Sequence, residues 1–211
     1  MKPMLSRRRL AAACMLAVAL PLTAAEPVSP LVQQVRERLA DAPVLRGRFE
    51  QRKTLKGFKS PLVSRGDFLV AKERGVVWHT REPFESSLVV TRERLLSRQA
   101  DGRVDTKVEA RDEPGLRAVN EMLFALMAAD LQTLAARFRI DGELQGAAGW
   151  RLVLTPREAA LAQWLARVEL EGERFVRSVK LAEAQGDASV IRFSEHAIAQ
   201  SLSREEAARF D

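Results

Sequence analysis

The sequence contains few of the residues from which catalytic and metal sites are commonly built. Its 211 residues include one cysteine, two histidines and no tyrosine. A single cysteine excludes an internal disulfide framework and a cysteine-based zinc site, and two histidines far apart in the sequence give no pattern for a His-built metal site. Aromatic residues make up 6% of the chain, which does not suit the stacking surfaces that bind single-stranded nucleic acid.

Recognisable catalytic motifs are also missing. The sequence has no G-x-S-x-G, P-loop, H-E-x-x-H or G-x-G-x-x-G pattern. Most carboxylates alternate with Arg or Lys on apparent outer strand faces, which is typical of solvated charge. His79 follows Trp78 inside a strand pattern, where an outward-facing or hydrogen-bonded histidine is expected, and His196 is expected to be exposed after a strand end. We therefore expect a protein that is not an enzyme and that has no cofactor or metal.

The first 25 residues have the features of a secretory signal peptide. Lys2 and the arginines at positions 7–9 form a positive start, and residues 10–22 form an uncharged stretch that is too short to span a bilayer. Thr23-Ala24-Ala25 then supplies small residues for cleavage. We expect cleavage after Ala25 and a periplasmic protein, with an uncleaved membrane anchor as the alternative. The arginines leave the twin-arginine route open beside the Sec route, which we favour.

Removing this segment changes the charge balance of the chain. The whole sequence has 34 basic and 28 acidic residues, a formal net charge of +6. Four of the basic residues and none of the acidic ones lie in residues 1–25, so 30 basic and 28 acidic residues remain, a net charge of +2. Cys14 lies in the same segment and is lost with it. A nearly balanced, cysteine-free chain gives no basic signature for nucleic-acid binding.

The remaining sequence predicts a helix followed by a meander of short strands. Ser29-Pro30 is a favourable helix start, and an apolar stripe then recurs at positions 31, 32, 35 and 39, which predicts a helix over residues 30–41. From Val44 the hydrophobicity alternates with a period of two, and turn residues separate the short alternating stretches. Such a succession is typical of antiparallel strands.

A helical region interrupts the strands in the middle of the chain. Pro114-Gly115 opens the most apolar stretch, whose large residues recur at helical spacing, and a second helix is predicted from Leu131 to Phe138. Strands resume afterwards, with a short helical crossover between residues 156 and 164. The pattern predicts one α+β domain over residues 26–211 with about ten or eleven strands. The helices either seal an ordinary core or enclose, with the sheet, a cavity for an apolar ligand.

An ordered set of short motifs runs through these strands. In chain order they are Phe49-Glu50-Gln51, Gly66-Asp67-Phe68-Leu69-Val70-Ala71-Lys72, Trp78 with Pro83, Leu88-Val89 with Leu95, Trp150-Arg151-Leu152-Val153-Leu154-Thr155-Pro156, and Glu183-x-x-Gly186-Asp187 with Ile191-x-Phe193. The set resembles the LolA family, the periplasmic carriers of outer-membrane lipoproteins. The resemblance covers nearly all of residues 30–195. It implies a strongly curved, unclosed antiparallel β half-barrel with an α-helical lid.

The resemblance also implies a function. It indicates a monomeric periplasmic carrier that shields the acyl chains of a lipoprotein or another lipid in an apolar cavity during transport to the outer membrane. The implied partners are the acylated cargo, an inner-membrane release machinery and an outer-membrane acceptor, with no nucleic acid. The alternative is an envelope lipid sensor or interaction domain of the same fold that binds a partner protein. The segment at residues 203–206 resembles a divergent branch associated with lipid or aryl-polyene gene clusters, so the cargo class stays open.

The alternation and the helical spacing nominate residues for this cavity. The inward strand positions, which we predict to form the cavity wall, are Leu45, Phe49, Phe68, Val70, Val76, Trp78, Leu88, Leu152 and Leu154. The predicted lid residues are Val119, Met122, Leu123, Leu126 and Met127. The family's lid latch is an arginine, and the matching position here is Lys72, which lacks the bidentate fork of a guanidinium.

Overall fold

The computed structural model describes residues 29–109, 125 and 130–210. The helices are α1 (Pro30–Arg38), α2 (Leu131–Arg137), α3 (Ala159–Ala162) and α4 (Arg204–Ala208). The strands are β1 (Val44–Thr54), β2 (Leu62–Ala71), β3 (Gly75–Glu82), β4 (Ser86–Val90), β5 (Arg94–Gln99), β6 (Val104–Glu109), β7 (Phe138–Gln145), β8 (Gly149–Pro156), β9 (Leu165–Gly172), β10 (Val176–Glu183) and β11 (Ala188–Ala199). The predicted signal peptide and the five predicted lid residues (Val119, Met122, Leu123, Leu126, Met127) lie outside the described residues.

The eleven strands form one antiparallel sheet in the order β6-β5-β4-β3-β2-β1-β11-β10-β9-β8-β7. Each half of the sheet is a meander of neighbouring strands, and the pairing of β1 with β11 joins the two halves. β6 and β7 are the two edges, so the sheet is unclosed. An unclosed antiparallel sheet with a few short helices confirms the α+β half-barrel and the expected ten or eleven strands.

Because every neighbouring pair is antiparallel, the turns gather at two opposite ends of the sheet. The distal end holds the turns at residues 55–61, 83–85, 100–103, 157–164 and 184–187. The proximal end holds the turns at residues 72–74, 91–93, 146–148 and 173–175. Helix α1 ends near the proximal end, where the Arg38 guanidinium contacts the Gly149 carbonyl oxygen.

The sheet has an apolar cluster on each face. The helix face is the one covered by α1 and α2, through Val32, Val35, Leu131 and Leu134, all of which are fully buried. The tail face is the opposite one, and its cluster consists of Val44, Leu69, Ala71, Val77, Val89, Leu96 and Phe210. Two faces that each bury apolar residues explain why central strands such as β2 contain the continuous apolar run 68–71 rather than strict alternation.

Local chemistry accounts for the helix boundaries. Pro30 occupies the first turn of α1, and the helix ends at Arg38 because Leu39 is extended, three residues short of the predicted end. The Asp130 carboxylate caps α2 by accepting a hydrogen bond from the Thr133 amide at 3.2 Å. Helix α4 was not predicted. Its signal is the capping box in which Ser203 and Glu206 exchange side-chain and backbone hydrogen bonds.

Candidate functional site

All nine predicted cavity-wall residues lie on the helix face. Six of them are buried in its cluster: Phe49, Phe68, Val70, Val76, Leu152 and Leu154. The other three, Leu45, Trp78 and Leu88, are partly exposed and pack against that cluster. The nine residues therefore share one face of the sheet, and their role as a cavity wall that contacts lipid stays a prediction.

Aromatic rings form the centre of the helix face. The rings of Phe49 and Trp78 are stacked, with centroids 3.7 Å apart and an interplanar angle of 25°. The Phe193 ring meets Phe68 edge-on at 5.2 Å and Trp78 edge-on at 6.1 Å. Phe49 is paired with Phe193 across the β1–β11 ladder and Phe68 with Trp78 across the β2–β3 ladder, so strand register brings the four rings together.

A glycine makes room for this ring cluster. Gly66 is paired with Phe49 in the β1–β2 ladder. A Cβ at Gly66 would lie 1.9 Å from the His79 carbonyl oxygen and 2.9 Å from the Phe49 ring. Any larger residue would therefore push β2 away from β3 and disturb the stacked rings.

The helix face becomes polar toward the distal end. Further along β1, on the side shared with Phe49, the Gln51 amide donates to the Ser189 hydroxyl at 3.5 Å. Two positions beyond, the Lys53 ammonium lies 2.9 Å from the Glu183 carboxylate and 3.9 Å from that of Asp187. An apolar region bordered by hydrogen-bonded and ion-paired groups suits a ligand with an apolar body and a polar end.

His196 reaches the helix face through a β-bulge. Arg46 pairs with Ala197 and Arg48 with Ser194, so β11 has one more residue than β1 in this stretch. Glu195 lies in the bulge and has a φ of 52°. The bulge exchanges the faces of the following residues, so the His196 ring stacks on Phe175 at 4.8 Å instead of being exposed as predicted. Burial, followed by the nearby Arg177 guanidinium, lowers the pKa of His196.

The tail face is closed by the C-terminal segment. Phe210 is buried in the tail-face cluster, and its carbonyl oxygen accepts a hydrogen bond from Arg94 at 2.6 Å. Ion pairs tie the same segment to the sheet: Glu206 lies 3.1 Å from Arg46, and the Arg209 guanidinium lies 2.9 Å from Asp67. The apolar surface on this side is therefore occupied by the chain itself.

Asp67 is the centre of the polar network on the tail face. It accepts hydrogen bonds from Arg81 at 2.7 Å and Arg209 at 2.9 Å. Burial raises the pKa of the Asp67 carboxyl, but these two hydrogen bonds outweigh it and hold the pKa below the usual range. His79 lies between Asp67 and Glu85, at 3.2 and 3.1 Å, which confirms a hydrogen-bonded strand histidine.

The candidate latch residue Lys72 lies in the proximal turn between β2 and β3. Its ammonium contacts the Asp41 carboxylate, and its amide donates to the Pro43 carbonyl oxygen at 3.0 Å. The Asp41 contact joins this turn to the segment that links α1 to β1. The latch role stays a prediction because the lid residues lie outside the described ranges.

The described residues contain neither a metal-binding group nor a membrane-spanning helix. In residues 29–109, 125 and 130–210, no three His, Cys, Asp or Glu side chains converge into a group that could hold a metal ion. None of the helices in the same ranges has both the length and the hydropathy needed to cross a membrane.

Comparison with protein-family models shows the family to which this chain belongs. The family model described as outer membrane lipoprotein carrier protein LolA matches residues 40–206. The chain belongs to the LolA family. The match includes every described strand and the start of α4, and it confirms the resemblance seen in the ordered motifs. Proteins of the LolA family are carriers or binding proteins rather than enzymes.

Solved structures similar to this LolA-family chain are distant in sequence. A LolA superfamily protein from Nitrosomonas europaea is 10% identical, with 83% of this chain and 94% of that chain covered and a TM-score of 0.46. A putative outer membrane lipoprotein-sorting protein domain from Vibrio parahaemolyticus is 9% identical, with 86% and 97% covered and a TM-score of 0.47. A chain of the MucA/MucB complex from Pseudomonas aeruginosa is 17% identical, with 82% and 59% covered and a TM-score of 0.35. Comparison with curated protein sequences found no match.

Proposed function

We propose that this LolA-family chain is a periplasmic carrier that shields the acyl chains of a lipoprotein or another lipid on its helix face during transport to the outer membrane. The observation that supports the proposal is an aromatic and aliphatic cluster on one side of an unclosed sheet, with Leu45, Trp78 and Leu88 partly exposed at its surface. Ligand sites of this apolar kind bind by removing hydrocarbon from water.

The energetics of acyl burial suit a carrier. Each methylene removed from water contributes about 0.8 kcal/mol, so burying about ten methylenes contributes about 8 kcal/mol, which corresponds to a dissociation constant of about 1 µM. The cost of ordering a flexible acyl chain reduces this binding free energy and so weakens the binding. Binding in this range retains a lipid in water and still allows its release to an acceptor.

The helix face is a better candidate than the tail face. Phe210 and the ion pairs of Glu206 and Arg209 already cover the apolar cluster of the tail face. On the helix face, Trp78 and Leu88 keep exposed surface. The proposal includes the predicted lid residues as the second wall of the site and Lys72 as the residue that holds the lid.

Native mass spectrometry of protein released gently from the periplasm tests this function. We expect a mass increase that corresponds to a bound lipid and that disappears after extraction with detergent or organic solvent. Protein that is uniformly free of lipid under gentle release would contradict the carrier function. A stoichiometric protein partner without lipid would favour the sensor or interaction domain instead.

Two matched leucine substitutions test which face binds the lipid. Leu88 packs against the helix-face cluster and Leu202 against the tail-face cluster, and both are partly buried. Leu88→Asn is expected to reduce lipid retention roughly tenfold because it puts an amide against the acyl chain. Leu202→Asn is expected to leave retention unchanged. Equal effects of the two substitutions would show that the loss follows from general destabilisation.

A further inference from the structure

Exposed large apolar side chains are concentrated at one end of the sheet. The described residues have six of them, and five belong to the distal end: Phe58, Leu62, Phe84, Val104 and Trp164. The sixth, Ile198, is in β11 toward the proximal end. Single exposed apolar residues are ordinary on protein surfaces, but their concentration at one end indicates a surface that meets something apolar.

The hairpin between β1 and β2 has a tip of defined geometry. The Phe58 amide donates to the Leu55 carbonyl oxygen at 3.0 Å, and Gly57 has a φ of 89°, the value required at the third position of a type II turn. The Lys56 amide also donates to the Asp187 carboxylate at 2.9 Å, which fixes the hairpin to the neighbouring distal turn. A fixed turn of this kind holds Phe58 in solvent, with 68% of its surface exposed.

The charged residues around the tip of the same hairpin are all basic. Residues 51–66 contain five basic residues and no acidic residue. Two of the five, Lys53 and Arg65, form ion pairs with carboxylates of other strands. Within the part of the chain that the structure describes, Lys56 and Lys59 have no ion pair, and they flank Phe58 on either side in the sequence.

We propose that the tip of the β1–β2 hairpin binds the surface of an anionic phospholipid bilayer. Phe58 lies at the boundary between headgroups and acyl chains, and Lys56 and Lys59 bind lipid phosphates. Aromatic rings prefer this boundary, and basic residues are attracted by the negative surface potential of anionic lipids. The surface is separate from the helix face, so the proposal does not depend on the nature of the cargo.

The spacing of the distal side chains favours a bilayer over a protein partner. Phe58 and Phe84 lie in two distal turns, and Val104 directly follows a third. Neighbouring turns at this end are two strand spacings, or about 10 Å, apart along the sheet. The core of a protein interface is a contiguous, well-packed patch. Isolated apolar tips spread along one end instead suit a partner that is continuous in two dimensions and adapts to each tip.

Vesicle sedimentation tests the proposal. The exported protein is purified from expressing cells. It is mixed with vesicles of phosphatidylglycerol and phosphatidylethanolamine, or of phosphatidylcholine alone. We expect binding to the anionic vesicles that weakens as salt increases. The double variant Lys56→Gln/Lys59→Gln should bind about 25-fold more weakly, at about fivefold for each basic residue. Phe58→Ser should bind about tenfold more weakly.

Two control variants match these substitutions at the other end of the sheet. Arg92 and Arg174 are exposed in proximal turns, so Arg92→Gln/Arg174→Gln makes the same change in net charge. Ile198→Ser removes an exposed apolar side chain away from the distal end. Both controls should bind anionic vesicles as the unchanged protein does. Thermal unfolding of each variant verifies that it is folded.

Several results would overturn the proposal. The unchanged protein could fail to bind anionic vesicles at low salt, or the hairpin variants could bind them as well as the unchanged protein does. Arg92→Gln/Arg174→Gln could also lose as much vesicle binding as the hairpin variants. A photo-crosslinking phenylalanine analogue at position 58 should label phospholipid in cells, and labelling of one protein instead would assign the tip to a protein partner. Trp78→Glu should retain vesicle binding, because its loss would mean that vesicle lipid is simply entering the helix face.

Discussion

Replacing Trp78 with glutamate separates the proposed lipid binding of the helix face from the contribution of this residue to stability. The Trp78 ring is partly exposed, stacks on Phe49 at 3.7 Å and meets Phe193 edge-on at 6.1 Å. Each aromatic pair contributes about 0.5–1.5 kcal/mol, and the lost apolar burial of the partly exposed ring adds about 1–2 kcal/mol. The free energy of unfolding should therefore fall by about 2–5 kcal/mol, which leaves a domain of ordinary stability folded.

The same substitution should remove lipid carriage. A carboxylate at this position would have to lose water when an acyl chain covers it, at a cost of about 3 kcal/mol or more. That cost corresponds to a decrease in affinity of about a hundredfold or more. The assays are urea unfolding for stability and native mass spectrometry for bound lipid, and Trp78→Phe should preserve both properties.

Trp150 provides the contrasting control. It is fully buried on the helix face, and its indole N–H donates to the Glu173 carbonyl oxygen at 2.7 Å. Trp150→Glu buries an unpaired charge and leaves that carbonyl oxygen without its partner, so it should prevent folding. If Trp78→Glu unfolds the chain in the same way, Trp78 belongs to a closed core. If it folds and still retains lipid, the helix face is not the binding site.

Two further predictions concern the pH dependence of stability. Because the pKa of Asp67 is lower in the folded protein than in the unfolded chain, its stabilising effect is present above the ordinary aspartate pKa and is lost as the pH falls through the lowered value. Urea unfolding over an acid series should thus show a difference between the protein and Asp67→Asn that shrinks as the pH falls, and a constant difference would contradict the role of the Arg81 and Arg209 hydrogen bonds. The pKa of His196 is also lowered, so stability should decrease as the pH falls below the ordinary histidine value of about 6.5. His196→Gln should lack this decrease, and an unchanged profile in the variant would show that another group titrates.

The sheet and the side of each wall residue were predictable because period-two alternation is local. Register shifts between strands do not change this alternation where they lie outside the stretches that hold the wall residues. The shift between Arg65 and Gly66 precedes Phe68 and Val70, and the shift beside Arg46 is an extra residue in β11 rather than in β1. The sides of the helix-face residues in β1 and β2 were therefore unaffected.

The missed features depend on contacts between residues far apart in the sequence. The bulge at Glu195 reverses the side of His196, and nothing in the alternation of β11 marks where the extra residue falls. The closure of the tail face requires Phe210 and Arg209 to meet strands more than 100 residues earlier. Only the capping-box pair Ser203 and Glu206 gave a local signal for that segment. The exposed tips of the distal end likewise follow from topology, because they come from turns that are not neighbours in the chain.

The pairing of β1 with β11 has a consequence for how the chain folds. Val44 pairs with Ala199, a partner 155 positions later, whereas the other ladders join strands that follow one another in the chain. Local hairpins form sooner than contacts of such long sequence separation. The centre of the finished sheet is thus the last part to close, and until β11 arrives β1 presents one row of unpaired amide and carbonyl groups. That row is a template for pairing with another chain, so the arrival of β11 also ends the period of greatest aggregation risk.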